Sequence, residues 1–264
     1  MPVATNPNTV HPTAVVSPHA RIGADCFIGP FSVIGDNVEL KDRVRLDSHV
    51  VIDGRTVVGE DTHIFPFVSV GLPAQDLKYQ GEPSETRIGR RNQIREFVTI
   101  HRGTAGGGML TQIGDDCLLM AQAHIAHDCI IGDGVIMANA ATLAGHVVIE
   151  NNANVGAYSG VHQFCRVGRE AYIGGYSVVV KDALPFALTV GNHARCYGMN
   201  TTGMKRRGYS KEVIASLHRA FHLLLSAKLN TSQALEKIRE EISDSAEVDS
   251  LVGFIESSRR GVIK

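Results

Sequence analysis

Residues 22–52 read IGADCFIGPFSVIGDNVELKDRVRLDSHVVI, and an aliphatic side chain stands at every sixth position of this stretch. Continued in both directions, the spacing runs without a break from Val10 to Val70. It matches neither an α-helix nor a plain strand, whose side chains repeat about every 3.6 and 2.0 residues. A period of six is typical of the hexapeptide parallel β-helix, in which each block supplies one short strand and one turn. The aliphatic residue of each block is predicted to point into the core.

Two polar segments interrupt the repeat, at about residues 71–87 and 103–112. The first contains Pro and Gly among charged residues, and the second, GTAGGGMLTQ, is rich in glycine. Insertions in a repeat scaffold lie on its surface, where functional groups tend to collect. The glycines follow no Walker or dinucleotide-binding pattern, so they are weak evidence for a phosphate site. Both segments are predicted to be surface loops.

The period of six ends after Pro185, and helical signals follow. Ser210 is a predicted N-cap, with apolar residues at spacings of three and four after it. Thr231 is the predicted N-cap of a second helix, and a third is predicted near residues 247–258. The chain is therefore predicted to be mainly β, with a hexapeptide-repeat β-helix over residues 1–190 and a C-terminal α-helical domain over residues 191–264.

Composition excludes several classes of protein. The chain has 26 basic and 27 acidic residues, which argues against the overall basicity of a nucleic-acid-binding protein. No apolar run approaches the roughly 18 residues of a transmembrane segment. The first 13 residues lack a secretion signal, so a cytoplasmic location is expected. Four of the five cysteines occupy inward positions of the repeat, where reduced and buried thiols are expected.

Four histidines are predicted to lie along one edge of the β-helix. Three blocks of six make an 18-residue coil, so residues 18 apart stack about 4.8 Å from each other in adjacent coils. By this spacing His124, His127, His146 and His162 fall within one narrow strip. Gly145 is predicted to lie one coil from His127. Such a cluster suits either general base catalysis or metal binding.

Two other classes of function remain as alternatives at this point. Trimeric hexapeptide carbonic anhydrases bind zinc through three histidines, so a zinc hydratase is the first. The local pattern here, HIAHD (124–128), lacks the two histidines separated by four residues that are associated with that class, and no metal ligands are predicted. A non-catalytic trimeric scaffold built from hexapeptide repeats is the second, but it leaves the histidines without a role.

Seven segments closely resemble the UDP-N-acetylglucosamine acyltransferases that begin lipid A synthesis. The resemblance extends in order over nearly the whole chain, and HIAHD and KRRG are its most specific parts. It implies homotrimers of left-handed parallel β-helices with active sites in the clefts between subunits. The related N-acyltransferase of the same pathway is a less consistent match, because it has an additional N-terminal domain and the repeat here begins by residue 10. The segments are QDLKYQGEP (75–83), RNQIREFVTIHRGT (91–104), AHIAHDC (123–129), ATLAGHV (141–147), VHQFC (161–165), GNHA (191–194) and MKRRGYS (204–210).

The resemblance also implies an activity and roles for individual residues. Members transfer an R-3-hydroxyacyl chain from acyl carrier protein to the glucosamine 3-hydroxyl. His127 is the expected general base, Asp128 its orienting neighbour and Gly145 the backbone N–H donor to the oxyanion, while Gly175 is expected to leave the acyl groove open for a long chain. Thr202 stands where the family is expected to have a glutamate, which affects uridine or ribose recognition. The other expected substrate contacts are Asp76, Lys78, His124, His146, His162, Gln163, His193, Asn200, Arg206 and Arg207.

The implied partners are two further subunits, acyl carrier protein and UDP-N-acetylglucosamine. No bound cofactor is expected, since the donor carries its acyl group on the 4′-phosphopantetheine of the carrier protein. The carrier protein is acidic, so local basic surface is expected to speed its association. Residues from 200 onward include 11 Lys and Arg against 8 Asp and Glu, and a second basic group is expected from Arg90, Arg91, Arg95 and Arg102. The sequence leaves open whether the sugar acceptor is a 3-hydroxyl or a 3-amino group.

Overall fold

The computed structural model describes residues 8–225 and 228–264. The expectation that residues 1–7 contain no secretion signal lies outside this part of the chain. Most strands have two residues, because each block of six also supplies a turn. The first fourteen are β1 (Thr9–Val10), β2 (Val15–Val16), β3 (Arg21–Ile22), β4 (Phe27–Ile28), β5 (Val33–Ile34), β6 (Val38–Leu40), β7 (Arg45–Leu46), β8 (Val51–Ile52), β9 (Arg55–Val58), β10 (His63–Ile64), β11 (Ser69–Leu72), β12 (Glu85–Ile88), β13 (Gln93–Ile94) and β14 (Thr99–His101). The others are β15 (Leu110–Ile113), β16 (Leu118–Leu119), β17 (His124–Ile125), β18 (Ile130–Ile131), β19 (Ile136–Met137), β20 (Thr142–Leu143), β21 (Val148–Ile149), β22 (Asn154–Val155), β23 (Gly160–Val161), β24 (Arg166–Val167), β25 (Tyr172–Ile173), β26 (Val178–Val179), β27 (Ala187–Val190) and β28 (Arg195–Met199).

These strands form three sheets, which are the three faces of a prism. Successive strands enter sheet 1, sheet 2 and sheet 3 in turn, and the chain then returns to sheet 1. Neighbours in a sheet are parallel and 18 residues apart in the regular coils, as in the pairing of Ile136 with Asn154. Only the final hairpin of β27 and β28 is antiparallel among the described strands. The predicted 18-residue coil is confirmed.

The aliphatic residues of the repeat fill the interior of the prism. Ile28, Ile64, Ile94 and Leu119 are fully buried, as the period of six predicted. Val10 is the exception at 45% exposure, because it lies in the first described coil and no described coil covers it. The cysteines of the repeat are free and buried, and burial raises the pKa of the Cys129 thiol to about 12. They are therefore packing residues.

The turns between sheets form three edges with different side chains. The histidine edge consists of the turns from sheet 2 to sheet 3, which include residues 126–129 and 144–147. The aromatic edge consists of the turns from sheet 1 to sheet 2, where Phe67 stacks on Phe97 at 5.0 Å and Tyr158 on Tyr176 at 5.2 Å.

The charged edge consists of the turns from sheet 3 to sheet 1. Its residues alternate in sign from one coil to the next, in the order Asp25, Arg43, Asp61, Arg91 and Asp116. Arg43 Nε lies 2.6 Å from Asp61 Oδ1, and Arg91 Nη2 lies 2.7 Å from Asp116 Oδ2. Each residue has a φ near +60°, the left-handed conformation, at the same point of its turn.

Both interruptions of the repeat lie on the histidine edge. The first separates β11 from β12, and the second, with a 3₁₀ turn at Ala105–Gly107, separates β14 from β15. The strand register nevertheless continues past them, since Ser69 pairs with Thr99 and Thr99 with His124. The two loops therefore rise from the edge that carries His127 without displacing the coils.

The described C-terminal residues contain four helices: α1 (Thr201–Arg206), α2 (Lys211–Leu225), α3 (Thr231–Glu241) and α4 (Ala246–Glu256). Their apolar side chains form a second core around Leu217 and Leu251. Ser210 caps α2 as predicted, because its Oγ accepts a hydrogen bond from the Val213 N–H at 3.3 Å. No helix in the described residues combines the length and the apolar character needed to cross a bilayer.

The cap of α3 differs from the prediction. Asn230, rather than Thr231, accepts a hydrogen bond from the Gln233 N–H at 2.9 Å. Gln233 Oε1 in turn accepts one from the Asn230 N–H at 3.1 Å, which completes a capping box. The amide side chain satisfies two helix-end donors reciprocally, whereas a cap one residue later would leave the Asn230 N–H without this partner. Helix α1 was not predicted at all.

Candidate active site

His127 and Asp128 lie together in the turn between β17 and β18. His127 Nδ1 is 2.7 Å from Asp128 Oδ2. An ionised carboxylate can only accept, so Nδ1 donates its proton to it and Nε2 of a neutral imidazole is left as a proton acceptor. The Asp128 side chain is fully buried, whereas that of His127 is 13% exposed. The pair has the arrangement of a general base and the carboxylate that orients it.

The second insertion loop holds Asp128 in place. The Thr104 N–H donates to Asp128 Oδ1 at 2.8 Å, and Thr104 Oγ1 donates to Oδ2 at 2.6 Å. On its main-chain side, the Asp128 N–H donates to Thr111 Oγ1 at 2.8 Å. Sequence reasoning missed both threonines, although they flank the glycines of a loop that lies one coil from His127. The glycine-rich loop therefore serves a carboxylate of this chain.

Gly145 lies against the imidazole of His127, one coil away as predicted. A Cβ atom at residue 145 would be 2.6 Å from His127 Cε1 and 2.7 Å from Nε2, so this approach requires glycine. The Gly145 N–H donates no hydrogen bond to any residue that the structure describes. A backbone donor is thus available beside the nitrogen that can accept a proton.

His146 forms the third side of this group. Its ring is perpendicular to that of His127 at 5.1 Å, and it stacks on Phe164 at 4.4 Å. Burial lowers the pKa of His146, and the charges of Asp128 and Asp76 oppose that shift. The influence of Asp76 brings the first insertion loop to the same place.

His124 and His101 form a second histidine pair in the adjacent coils. His124 Nδ1 is 2.7 Å from Thr99 Oγ1, and the rings of His101 and His124 meet edge to face at 5.2 Å. Burial lowers the pKa of His101 to about 4, and its Nδ1 has no hydrogen-bond partner among the described residues. His101 was missed by sequence reasoning, because the insertion before it shifts the count of 18.

His127, Asp128 and His146 also offer ligand atoms within 4.8 Å of one another. Two ligands of a tetrahedral zinc ion lie about 3.3 Å apart, whereas His127 Nδ1 and Asp128 Oδ2 are 2.7 Å apart and share a proton. Binding through His127 Nε2 instead would leave Asp128 outside the ligand set, with two histidines where zinc sites use three or four ligands. The donor set fits an acid–base pair better than a metal centre.

Asn200, Arg206 and Arg207 line one cavity of about 590 Å³ on sheet 1, together with Tyr172 and Thr202. No residue of the histidine edge lines it. Asn200 also caps α1, because its Oδ1 accepts a hydrogen bond from the Gly203 N–H at 3.1 Å. These three predicted substrate contacts are brought together, but on a different side of the chain from His127.

The remaining predicted contacts are more exposed. Lys78 is exposed in the first loop, and its N–H donates to Asp76 Oδ1 at 3.0 Å. His162 and Gln163 are exposed on the histidine edge, and His162 Nδ1 lies 3.2 Å from Arg260 Nη2. His193 lies in the exposed turn between β27 and β28, and none of the other predicted contacts lines its cavity.

Comparisons with known proteins agree with these features. A family profile described as "Udp N-acetylglucosamine O-acyltransferase; Domain 2" matches residues 182–263, and bacterial transferase hexapeptide repeats match residues 19–54 and 110–145. LpxA from Acinetobacter baumannii is 42% identical, with 97% of this chain and 99% of that chain covered and a TM-score of 0.94. A UDP-N-acetylglucosamine acyltransferase from Bacteroides fragilis is 39% identical, with 97% and 100% covered and a TM-score of 0.95. One from Arabidopsis is 34% identical, with 97% and 100% covered and a TM-score of 0.85.

The chain belongs to the UDP-N-acetylglucosamine acyltransferase family. Its fold is the left-handed parallel β-helix with C-terminal helices of this acyltransferase family, which confirms the predicted fold class.

Gly175, the residue expected to set acyl-chain length in this acyltransferase family, lies on the aromatic edge next to Tyr176. A Cβ atom there would approach one neighbouring group closely, the Ala157 carbonyl oxygen at 3.3 Å. A Cβ atom at Gly174 would instead come within 2.7 Å of the Val190 side chain. Packing therefore explains the glycine at 174, while the position of Gly175 leaves room for a side chain.

The expected second basic group requires a correction. Each of its arginines pairs with a carboxylate, so these residues do not form an unpaired basic surface for a carrier protein of the acyltransferase family. The insertion loops change the spacing between coils, and the partners of Arg90 and Arg91 therefore lie 25 residues away. The pairs are Arg90 with Asp115 (2.9 Å), Arg91 with Asp116 (2.7 Å), Arg95 with Glu96 (3.0 Å) and Arg102 with Asp53 (3.2 Å).

Proposed function

We propose that this chain transfers an R-3-hydroxyacyl group from acyl carrier protein to the glucosamine 3-hydroxyl of UDP-N-acetylglucosamine, the first step of lipid A biosynthesis. The observation that carries the proposal is the His127–Asp128 pair beside the free N–H of Gly145. The family relationship supplies the substrates. A zinc hydratase and a non-catalytic scaffold are less well supported, because neither uses a hydrogen-bonded base next to an unpaired backbone donor.

The proposed reaction begins with proton transfer to His127. A sugar hydroxyl is a weak nucleophile at neutral pH, and a positioned imidazole typically accelerates such a step by about 10²–10⁴-fold. His127 Nε2 takes the proton of the 3-hydroxyl as its oxygen attacks the thioester carbonyl carbon. Asp128 holds the imidazole through Nδ1 and stabilises the imidazolium that forms. The buried position of Asp128 strengthens this interaction.

The attack produces a tetrahedral intermediate with a negatively charged oxygen. The Gly145 N–H is the proposed hydrogen-bond donor to it, as it lies next to the imidazole and has no other described partner. Collapse of the intermediate breaks the carbon–sulfur bond and forms the ester. The imidazolium then returns its proton to the phosphopantetheine sulfur, so His127 is neutral again at the end of the cycle. No metal or bound cofactor takes part in this scheme.

The other predicted residues are proposed to bind the two substrates. Asp76 and Lys78 in the first loop and His124 and His146 on the histidine edge would contact the sugar. His162, Gln163 and His193 would contact the sugar or the acyl donor, and Gly175 would leave space for the end of the acyl chain. Asn200, Arg206 and Arg207 would contact the nucleotide and its diphosphate, since arginine binds phosphate oxygens in pairs.

A homotrimer is supported by the distribution of these residues. In one chain His127 lies on the histidine edge, Arg206 and Arg207 line the cavity on sheet 1, and Gly175 lies on the aromatic edge. One substrate pair cannot reach three sides of the same prism. A cleft between two subunits with closed threefold symmetry can bring them together. Because the carrier protein and the nucleotide sugar are both water-soluble, the reaction is proposed to take place in the cytoplasm.

The direct test uses the purified full chain with UDP-N-acetylglucosamine and R-3-hydroxyacyl carrier proteins of defined chain length. Mass spectrometry should detect the nucleotide sugar with one added hydroxyacyl group, and treatment with mild base should release it if the bond is an ester. A base-stable product from a 3-amino acceptor would show that the acceptor is different. Stoichiometric zinc with activity that chelators abolish would favour the hydratase instead.

A further inference from the structure

Glu170 is a buried carboxylate that the scheme above does not use. It lies on the charged edge between β24 and β25, and its side chain is 3% exposed. Its Oε1 accepts hydrogen bonds from Asn152 Nδ2 at 3.0 Å and from the Tyr209 hydroxyl at 3.4 Å, and its Oε2 is 3.1 Å from Arg207 Nε. Its backbone carbonyl accepts a hydrogen bond from Asn200 Nδ2 at 3.0 Å. One residue thus holds two side chains that line the cavity on sheet 1.

Arg207 separates Glu170 from that cavity. Arg207 lines both the cavity on sheet 1 and a smaller one that contains Glu170, whereas Glu170 lines only the smaller one. The ion pair uses Nε, and the two Nη groups make no hydrogen bond to any residue that the structure describes. A guanidinium held through Nε presents its two Nη groups for a bidentate contact with phosphate oxygens.

Folding stability does not account for this carboxylate. Burial raises the pKa of Glu170 above its usual range, and the positive charge of Arg207 only partly opposes the shift. A carboxyl group whose pKa is higher in the folded state than in the unfolded state makes the folded state less stable when it ionises. A buried ion pair is in any case weak evidence for a stabilising role. The contact with Arg207 therefore needs another explanation.

We propose that Glu170 is a positioning residue for the diphosphate of the nucleotide sugar. It fixes the Arg207 guanidinium through its carboxylate and the Asn200 side chain through its carbonyl, at the wall of the cavity on sheet 1. The inference rests on the proposed function, because the diphosphate belongs to the substrate named there. Loss of the carboxylate leaves Arg207 free to rotate, so the cost of ordering it is added to substrate binding.

The test is the Glu170→Gln variant of the full chain, which keeps the shape of the side chain and removes its charge. We expect the KM for UDP-N-acetylglucosamine and the Kd for UDP alone, measured by calorimetry, to rise about tenfold, with kcat and the KM for the acyl donor within about twofold of wild type. The melting temperature should stay the same or rise, since the ionised carboxylate costs stability. A residue with a purely structural role would lower the melting temperature and leave the UDP affinity unchanged.

Asp182→Asn is the matched control. Asp182 is as deeply buried as Glu170 and pairs with Arg166 at 3.1 Å, but neither residue lines the cavity on sheet 1. This variant should leave the UDP affinity unchanged. In an Arg207→Ala background, Glu170→Gln should change the UDP affinity by less than about twofold, because the residue it positions is gone.

Two results would overturn the inference: unchanged UDP affinity in an active Glu170→Gln enzyme, or an undiminished effect of Glu170→Gln after Arg207 has been removed. Failure of the proposed function looks different, because the wild-type chain would then form no acylated nucleotide sugar.

Discussion

The main chain of Gly107 lies directly against the carboxylate of Asp128. A Cβ atom at residue 107 would come within 2.0 Å of the Asp128 carboxylate carbon. At the preceding residue, Gly106, the nearest atom to such a Cβ is Thr104 Oγ1 at 4.0 Å. The glycine-rich loop therefore needs a glycine at 107 and tolerates a side chain at 106.

Gly107→Ala should lower kcat by about tenfold or more, because the loop and the Asp128 carboxylate have to move apart and the imidazole then loses its alignment. Gly106→Ala adds the same methyl group to the same loop and should leave kcat within about twofold. Both rates are measured with saturating nucleotide sugar and acyl carrier protein. Equal activity of the two variants would mean that the contact with Asp128 does not matter for catalysis.

Thr104→Val should lower kcat by about tenfold, because it removes the hydroxyl that donates to Asp128 Oδ2 while keeping a side chain of similar shape. Thr104→Ser retains the hydroxyl and should restore most of the rate. The comparison of kcat for the three proteins tests the role of the hydrogen bond. Similar rates in the valine and serine variants would contradict it.

His127→Ala should lower kcat by about 10²–10⁴-fold, the contribution typical of a general base. His127 is an edge residue outside the apolar core, so the melting temperature and the oligomeric state should not change. Activity of the wild-type chain should also survive dialysis against a chelator. A variant that keeps more than about a tenth of the wild-type kcat would exclude His127 as the base.

Gly175→Met should shift the preferred donor from about 12–14 carbons towards about ten, since each buried methylene contributes roughly 0.8 kcal/mol and the new side chain would occupy that part of the groove. The rate with the shorter donor should be close to that of wild type. Gly253→Met is the control, because Gly253 is exposed on α4 and a Cβ there meets no atom within 4 Å. If wild type already prefers ten carbons or fewer, another residue sets the limit.

Stability should fall as the pH drops below about 6.5, because of His101. Burial lowers the pKa of His101 to about 4 in the folded chain, so below pH 6.5 the unfolded chain takes up a proton that the folded chain does not. At pH 5 this difference costs about 2 kcal/mol of unfolding free energy. The measurement compares denaturation midpoints at pH 7.5 and pH 5 for wild type and His101→Gln at one protein concentration. The variant should lose less stability than wild type, and identical losses would contradict the assignment.

The coils were predictable because every block of six places one aliphatic residue in the core, so the position of a residue in its coil follows from its number. The same count predicted the contacts of Gly145 with His127 and of His146 with Phe164. It failed where an insertion changes the spacing. The Thr99–His124 and Arg91–Asp116 contacts each span 25 residues, and no period of 18 could find them.

Contacts between the coils and the C-terminal helices were also beyond the repeat. Glu170 meets Arg207 and Tyr209 through three-dimensional packing of two segments with different periods. The capping role of Asn200 was missed because α1 has only six residues and shows no apolar periodicity. The family resemblance pointed to Asn200 and Arg207 as substrate contacts, but only the structure shows what holds them.

The alternation of sign along the charged edge also guards against a folding error. Successive coils have nearly the same aliphatic core, so a chain that looped out one coil and stacked the next in its place would still bury its apolar residues. That mistake would set Asp25 against Asp61 and Arg43 against Arg91. Like charges in directly opposed positions are destabilising. The order of the coils is therefore encoded on the surface of the prism, in side chains that contribute little to its core.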